Sequence, residues 1–262
     1  MLKIPSLNVS LRAPKGRSNL SDRLLRRFAP RNDMATVFLL TLFLPCYVFA
    51  DDVSLPFKKG ETITFKIEQM KVKAGEAKLS FEGLHEIDHK TVYLVIFKSN
   101  GLNFYDEEKI YLDPQTFRPF KVLRDINIWG KKEKITEDYL PQEKKIRITK
   151  IAGQKTTTEE LPMPQEVENI YGFIYRYRHS GSFKLGDEMQ IPLPTKNIKI
   201  KVAKKITIKI MGKELDAFYL DSDPAKYKIW LGTDAGHRPL KISSSVGLVN
   251  TVMVMTDYNS GQ

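Results

Sequence analysis

The sequence predicts a mainly β fold: a curved antiparallel sheet or incomplete β-barrel covered by one α-helix at about 165–179. Three observations predict it. Apolar side chains recur at every second residue from position 61 onward, turn-forming residues interrupt that alternation at short intervals, and one stretch alone changes to helical spacing.

The first strand is read from Ile63, Phe65 and Ile67 on one face against Thr64, Lys66 and Glu68 on the other. Further alternating runs lie near 75–86, 108–112, 119–128, 132–140 and 145–151. Val92-Tyr93-Leu94-Val95-Ile96-Phe97 is β-branched and aromatic, as a central strand requires. The longest run is Ile198 to Ile210, with Ile198, Ile200, Val202, Ile206, Ile208 and Ile210 in one phase and Lys199, Lys201, Thr207 and Lys209 in the other. Met211-Gly212-Lys213 then turns the chain into Leu215–Leu220, and runs at 226–232, 237–243 and 246–257 close the set. Asp113-Pro114, Ala152-Gly153, Asp221-Ser222-Asp223-Pro224 and Asp234-Ala235-Gly236 supply turn chemistry between them. The expected total is about eleven to thirteen strands, which favours one curled sheet over two domains.

The helix is predicted from Val167, Ile170, Tyr171, Ile174 and Tyr177, preceded by Pro162 and Pro164 and followed by Gly181. Glu166 and Glu168 are expected in its first turn, with Arg176, Arg178 and His179 in its last, each sign suited to the helix dipole. Its tyrosine-rich face needs a partner, and the concave side or open end of the sheet is the expected one.

Residues 1–50 read as a targeting segment. They hold two Lys, six Arg and two Asp, a net +6, so the remaining 212 residues carry only +5 of the total +11. Ala35 to Ala50 is an uncharged apolar run, shorter than the about 20 residues a membrane-spanning helix needs. A basic lead, an apolar stretch and a small residue at Ala50 describe a secretory signal, with Asp51 beginning the processed chain; a start at Met34 would account for the long lead. Residues 51–262 are then a single antiparallel β domain, exported to the periplasm or cell envelope. Cys46 is the one cysteine, so neither an internal disulfide nor a cysteine-based metal site is expected.

Candidate chemistry is sparse. His85-Glu86-Ile87-Asp88-His89 matches the H-E-x-x-H zinc-hydrolase pattern, which works only on a helix because both imidazoles must reach one metal. Its flanks are strand-like, and on an extended strand the two histidines would stand about 13 Å apart. A polar hairpin turn is therefore the expected reading, with a metal-dependent hydrolase as a remote alternative. Asp221-Ser222-Asp223 lacks the rest of a calcium loop, and Gly153-Gln154-Lys155-Thr156 lacks the first glycine of a P-loop. The lysines of 196–213 alternate with isoleucines and suit a solvated sheet face, so nucleic acid is not an expected partner. No catalytic, cofactor-binding or metal-binding residue is selected, and no cofactor is expected.

Three stretches together resemble the exported bacterial family known as domain of unknown function 3108. They are Leu55-Pro56-Phe57-Lys58-Lys59-Gly60-Glu61 running on to Lys73-Ala74-Gly75-Glu76-Ala77; Tyr175-Arg176-Tyr177-Arg178 followed by Phe183-Lys184-Leu185-Gly186-Asp187; and Ile229-Trp230-Leu231-Gly232-Thr233-Asp234 with Arg238-Pro239-Leu240 and Gly247. The resemblance spans about 55–258. Asn169 and Gly172 stand where the family has Asp and Ser at the helix start. The resemblance implies a periplasmic or envelope location and a mostly antiparallel β fold; it transfers no reaction and no catalytic residue. The plan of a curved sheet under one helix is similar to the lipoprotein carrier fold of the Lol pathway, at the level of fold alone.

The functional expectation is an exported, non-enzymatic envelope protein whose concave face holds an apolar or lipid-like ligand such as an acyl chain. Complete filling of that space by side chains is the alternative, as in small barrels. A second alternative is an integral outer-membrane β-barrel, against which stand the polar tail Tyr258-Asn259-Ser260-Gly261-Gln262 and the lack of aromatic girdles. The sequence names neither a protein partner in the envelope nor an oligomeric state.

Overall fold

The structure, a computed structural model, describes residues 55–246 and 249–262. The expected targeting segment and its cleavage after Ala50 lie outside them. Eight strands come first: β1 (Glu61–Gln69), β2 (Val72–Ile87), β3 (Lys90–Gly101), β4 (Phe104–Leu112), β5 (Pro119–Ile128), β6 (Lys131–Leu140), β7 (Lys145–Ala152) and β8 (Lys155–Pro162). The helix α1 (Ile170–Ser180) follows, and then β9 (Glu188–Leu193), β10 (Lys196–Ile210), β11 (Lys213–Asp223), β12 (Tyr227–Gly232), β13 (Pro239–Val246) and β14 (Val249–Ser260). All fourteen strands form one antiparallel sheet in the order β8-β7-β6-β5-β4-β3-β2-β1-β14-β13-β12-β11-β10-β9. The predicted mainly β class is therefore the observed one.

The two edge strands, β8 and β9, are neighbours in sequence, and the chain between them shows how nearly the sheet closes. Met163 N–H donates to Lys144 O beside the β8 edge, and Glu168 N–H donates to Pro192 O on β9. Five residues reach at most about 18 Å, which caps the gap that the crossover bridges. The result is an incomplete barrel. Register shifts at Thr64/Phe65 in β1, Phe81/Gly83 in β2 and Val202/Lys204 in β10 supply local bends.

Side chains sort as the alternation requires. On β1, Glu61, Ile63, Phe65 and Ile67 are buried while Thr62, Thr64, Lys66 and Glu68 are partly exposed. The concave side encloses α1, whose Phe173, Ile174, Tyr175 and Tyr177 are all buried. Gly172 is where the helix comes closest to the sheet: a Cβ there would lie 2.9 Å from Leu112 Cδ2. A serine at this position would need Leu112 to shift.

The helix begins later than expected, at Ile170 and not about 165. Asn169 is the N-cap, its Oδ1 accepting from the N–H groups of Tyr171 at 2.9 Å and Gly172 at 3.3 Å. Glu166 and Glu168 thus lie before the helix, not in its first turn, because Glu168 gives its backbone N–H to β9. Of the three basic residues expected in the last turn, Arg178 and His179 lie there and Arg176 precedes it.

Arg178 fixes the helix in depth. Its guanidinium makes a bidentate pair with Glu61, Nη1 to Oε1 at 2.6 Å and Nη2 to Oε2 at 2.8 Å, both side chains being fully buried. Arg178 Nε donates to Gly236 O at 2.8 Å in the β12–β13 connection, and Tyr258 Oη reaches Glu61 Oε2 at 3.3 Å. Phe57 and Tyr175 pack on the guanidinium at 4.8 and 5.0 Å. Around them Phe57, Phe81, Phe117 and Tyr175 form a cluster of ring contacts that fills this end of the sheet.

Removing one partner of such a pair leaves an uncompensated buried charge. Arg178→Ala is expected to lower unfolding stability by about 3–5 kcal/mol, read from urea denaturation. Arg178→Lys is expected to recover little of it, because an ammonium cannot reproduce the planar fork that holds Glu61 and Gly236 together.

Candidate functional site

The other end of the concave face is not filled. A cavity of about 950 Å³ lies between the N-terminus of α1 and the sheet, walled by Phe97, Ile148, Ile170, Leu193, Ile242 and Met253. Phe97 and Tyr171 stack at 4.0 Å between centroids and form the floor where α1 meets β3. The volume is at the upper end of the roughly 300–1,000 Å³ usual for small-molecule sites.

Across this apolar wall runs a band of ionisable groups from three adjacent strands. Asp106 and Glu108 on β4 share the phase of Ile110 and Leu112, which are fully buried beneath α1, so the carboxylates continue that face into the cavity. The register sets Glu108 opposite Arg124 on β5 and Val122 opposite Glu137 on β6. Arg124 is committed to Asp106, Nε donating to Oδ1 at 2.8 Å and Nη2 to Oδ2 at 2.5 Å. Among the described residues, neither Glu108 nor Glu137 has an ion-pair partner. Glu108 accepts from Asn169 Nδ2, and Glu137 accepts from Tyr139 Oη at 2.6 Å.

Burial governs these carboxyls. It pushes Glu108 up to about 7, against the pull of Arg124 and the Asn169 hydrogen bond. It also raises Glu137 above the ordinary carboxylate range, opposed by Tyr139 and Arg124. Glu168, fully buried, raised by desolvation and held back by Arg176 and Arg118, uses Oε1 for both guanidinium groups. Its Oε2 is buried without a hydrogen-bond partner among the described residues, and Glu168 lines the cavity.

Asn169 joins helix and band: one amide atom caps α1, the other donates to Glu108. An aspartate here would cap equally well but would leave two carboxyls facing each other, with one proton to share. The cavity therefore offers an apolar wall for a chain and carboxyl acceptors for a polar end that carries hydrogen-bond donors.

The zinc-hydrolase motif falls elsewhere. His85 and Glu86 end β2, and Asp88 and His89 form its turn into β3 with φ of 50° and 60°. Glu86 accepts from Thr91 Oγ1 across that hairpin, and no group of three or more metal-ligating side chains occurs among the described residues. The motif is a hairpin end, not a helix face. Asp106, Glu108, Arg124 and Glu137 were not singled out by the sequence reading, which named Glu168 only as a helix-end charge and Asn169 only as a departure at the helix start; the available signal was that 106 and 108 alternate in phase with the core positions 110 and 112.

Because the reference carboxyl value is 4.5, Glu108 holds its proton more tightly in the folded chain, and stability falls as pH rises from about 4.5 to about 7. Above that window the full penalty is present. Glu108→Gln keeps an acceptor for Asn169 and removes the charge, so it is expected to stabilise the protein at pH 8 by up to about 3 kcal/mol. The gain is expected to vanish by pH 4.5, as measured by denaturation midpoints across pH.

No curated protein matches the sequence. Among solved structures, the chain is similar to a crystal structure titled as a β-barrel-like protein of domain of unknown function DUF1849 from Brucella abortus, with a TM-score of 0.50 and 8% identity over 79% of this chain and 100% of that one. It is matched also to a structure titled as a putative lipoprotein from Parabacteroides distasonis, with a TM-score of 0.27 and 6% identity over 78% of this chain and 97% of the other. The first likeness concerns the fold. A family model matches residues 56–256, most of the chain, and on that match the chain belongs to DUF3108, a family described as protein of unknown function.

Proposed function

We propose that this is an exported, non-enzymatic protein of the cell envelope that binds an amphiphile in the cavity above α1. The carrying observation is the cavity itself: about 950 Å³ of space left beside a helix that is otherwise closely packed. The ligand's apolar part lies along Phe97, Ile148, Ile242 and Met253, and its polar end donates hydrogen bonds to Glu108, Glu137 and Glu168. Buried carboxyls with acceptor capacity to spare are costly, and a bound donor offsets that cost. The basic lead and apolar run before Asp51 support the envelope address.

An integral outer-membrane barrel is less well supported. Its lipid-facing side would be apolar, whereas the convex side here carries Thr62, Thr64, Lys66 and Glu68 on β1 and Lys199 and Lys201 on β10.

Native mass spectrometry of gently purified protein is expected to show a ligand-bearing species above the apo mass. Ser99, buried on β3 and lining the cavity, is the position at which to fill the space. Ser99→Phe is expected to abolish the bound mass and saturable uptake of a fluorescent fatty amine while leaving the circular dichroism unchanged. Apo mass alone, together with no saturable uptake by the unmodified chain, overturns the reading.

A further inference from the structure

Because every strand pairing is antiparallel, the hairpins that follow the odd-numbered strands all lie at one end of the sheet. That end is the cavity mouth: Gln69 and Lys73, Leu102 and Asn103, Ile128 and Trp129, Thr195 and Lys196 all line the cavity. Four of these hairpin tips carry large apolar side chains in the open. Met70 is 92% exposed, Leu102 93%, Trp129 75% and Val72 69%, with Ile128 and Ile151 beside them. Of the nine exposed large apolar residues among those described, these are six. The opposite end has isolated cases, such as Met211 in the β10–β11 turn.

The charges at this rim are almost all of one sign. The tips 69–73, 101–104, 128–132, 151–155, 193–196 and 223–227 contain Lys71, Lys73, Lys131, Lys132, Lys155, Lys196 and Lys226 against the single acid Asp223. The far-end connections 87–90, 112–119, 140–145, 210–213 and 232–239 hold six basic and four acidic residues. Counted between strand ends alone the rim is a net +4 against +2, and Lys73 and Lys132, just inside β2 and β6, raise it to +6. Met70 and Trp129 also sit at φ of 47° and 54°, turn positions that glycine or asparagine would occupy at less cost.

We infer that this apolar, lysine-rich rim docks on the surface of an anionic lipid bilayer, setting the cavity mouth against the acyl-chain boundary. An indole and aliphatic side chains on projecting tips insert at the interface, and the lysines around them meet the anionic head groups. A protein partner would be met by a shaped groove; here the apolar groups are separate tips around an opening, which suits a deformable surface. The inference extends the amphiphile reading by giving the ligand a route, but the docking itself does not require an occupied cavity.

Trp129 is the natural reporter. In the full-length chain carrying Trp230→Phe it is the sole tryptophan, so its fluorescence follows the rim regardless of how the rest of the chain associates with membrane. With phosphatidylcholine–phosphatidylglycerol vesicles its emission is expected to shift to the blue and to be quenched by brominated acyl chains. Pure phosphatidylcholine vesicles are expected to give partitioning roughly tenfold weaker, and added salt to reduce the anionic preference. Met70→Ser with Leu102→Ser is expected to lower quenching of Trp129, and Lys71→Gln with Lys131→Gln and Lys132→Gln to narrow the difference between the two vesicle types. All five positions are solvent-exposed, and unchanged circular dichroism checks that the fold persists. Trp129 emission that is unmoved by anionic vesicles overturns the proposal. Rim insertion with an empty cavity in native mass spectra and no saturable fatty-amine uptake would overturn the ligand reading and leave the docking intact, so the two fail separately.

Discussion

The bidentate contact between Arg178 and Glu61 is the constraint on which the rest of the molecule depends. It joins the last turn of α1 to the first residue of β1, across 117 positions of sequence, in a place without solvent. A buried ion pair is tolerable only when its remaining hydrogen-bonding capacity is also met. Here Gly236 O, Tyr258 Oη and two aromatic faces meet it. With its C-terminal end fixed so deeply, α1 extends only part of the way along the concave face. The filled half is the aromatic cluster around Phe57; the unfilled half is the cavity. Where the space lies is thus a consequence of where the helix is anchored.

At the free end of α1 the physics runs the other way. Asp106 and Arg124 complete each other, but Glu108 and one oxygen of Glu168 are buried, and Glu137 half-buried, with little to balance them. A chain selected for stability alone would place an apolar residue at position 108, because it alternates in phase with Ile110 and Leu112. Conflicts between a local rule and the surrounding structure concentrate at functional sites. The same end of the molecule carries the exposed tips, so both departures from ordinary packing meet at one opening.

The sheet was legible in the sequence because period-two alternation is a one-dimensional signal, and Glu61 to Ile67 or Ile198 to Val202 display it without help from neighbours. Strand number was less legible. β8 reads Lys155-Thr156-Thr157-Thr158-Glu159-Glu160-Leu161-Pro162 and is exposed along nearly its whole length, so no buried face marks it as a strand. It exists because β7 pairs with it in register. The helix was found from the spacing of Ile170, Tyr171, Ile174 and Tyr177, but its start was misplaced: proline and acidic residues also favour the extended crossover that Glu168 makes with Pro192. The cavity band was not legible, since its members range from 106 to 169 and only the pairings of β4, β5 and β6 bring them side by side.

An unclosed sheet has two edges that invite pairing with other chains, and this chain guards both. β8 presents threonine, glutamate and lysine and ends at Pro162; β9 carries Pro192, and the crossover through Glu168 covers that residue. Such guarding is the usual response to a surface that would otherwise aggregate. The rim receives no comparable treatment. Met70 and Trp129 project from tight turns where a smaller or polar residue would fit the backbone better and expose less apolar area. A sequence that blunts its edges and leaves its tips apolar distinguishes two kinds of exposure: the first it suppresses, and the second it keeps beside the mouth of the cavity on its concave face.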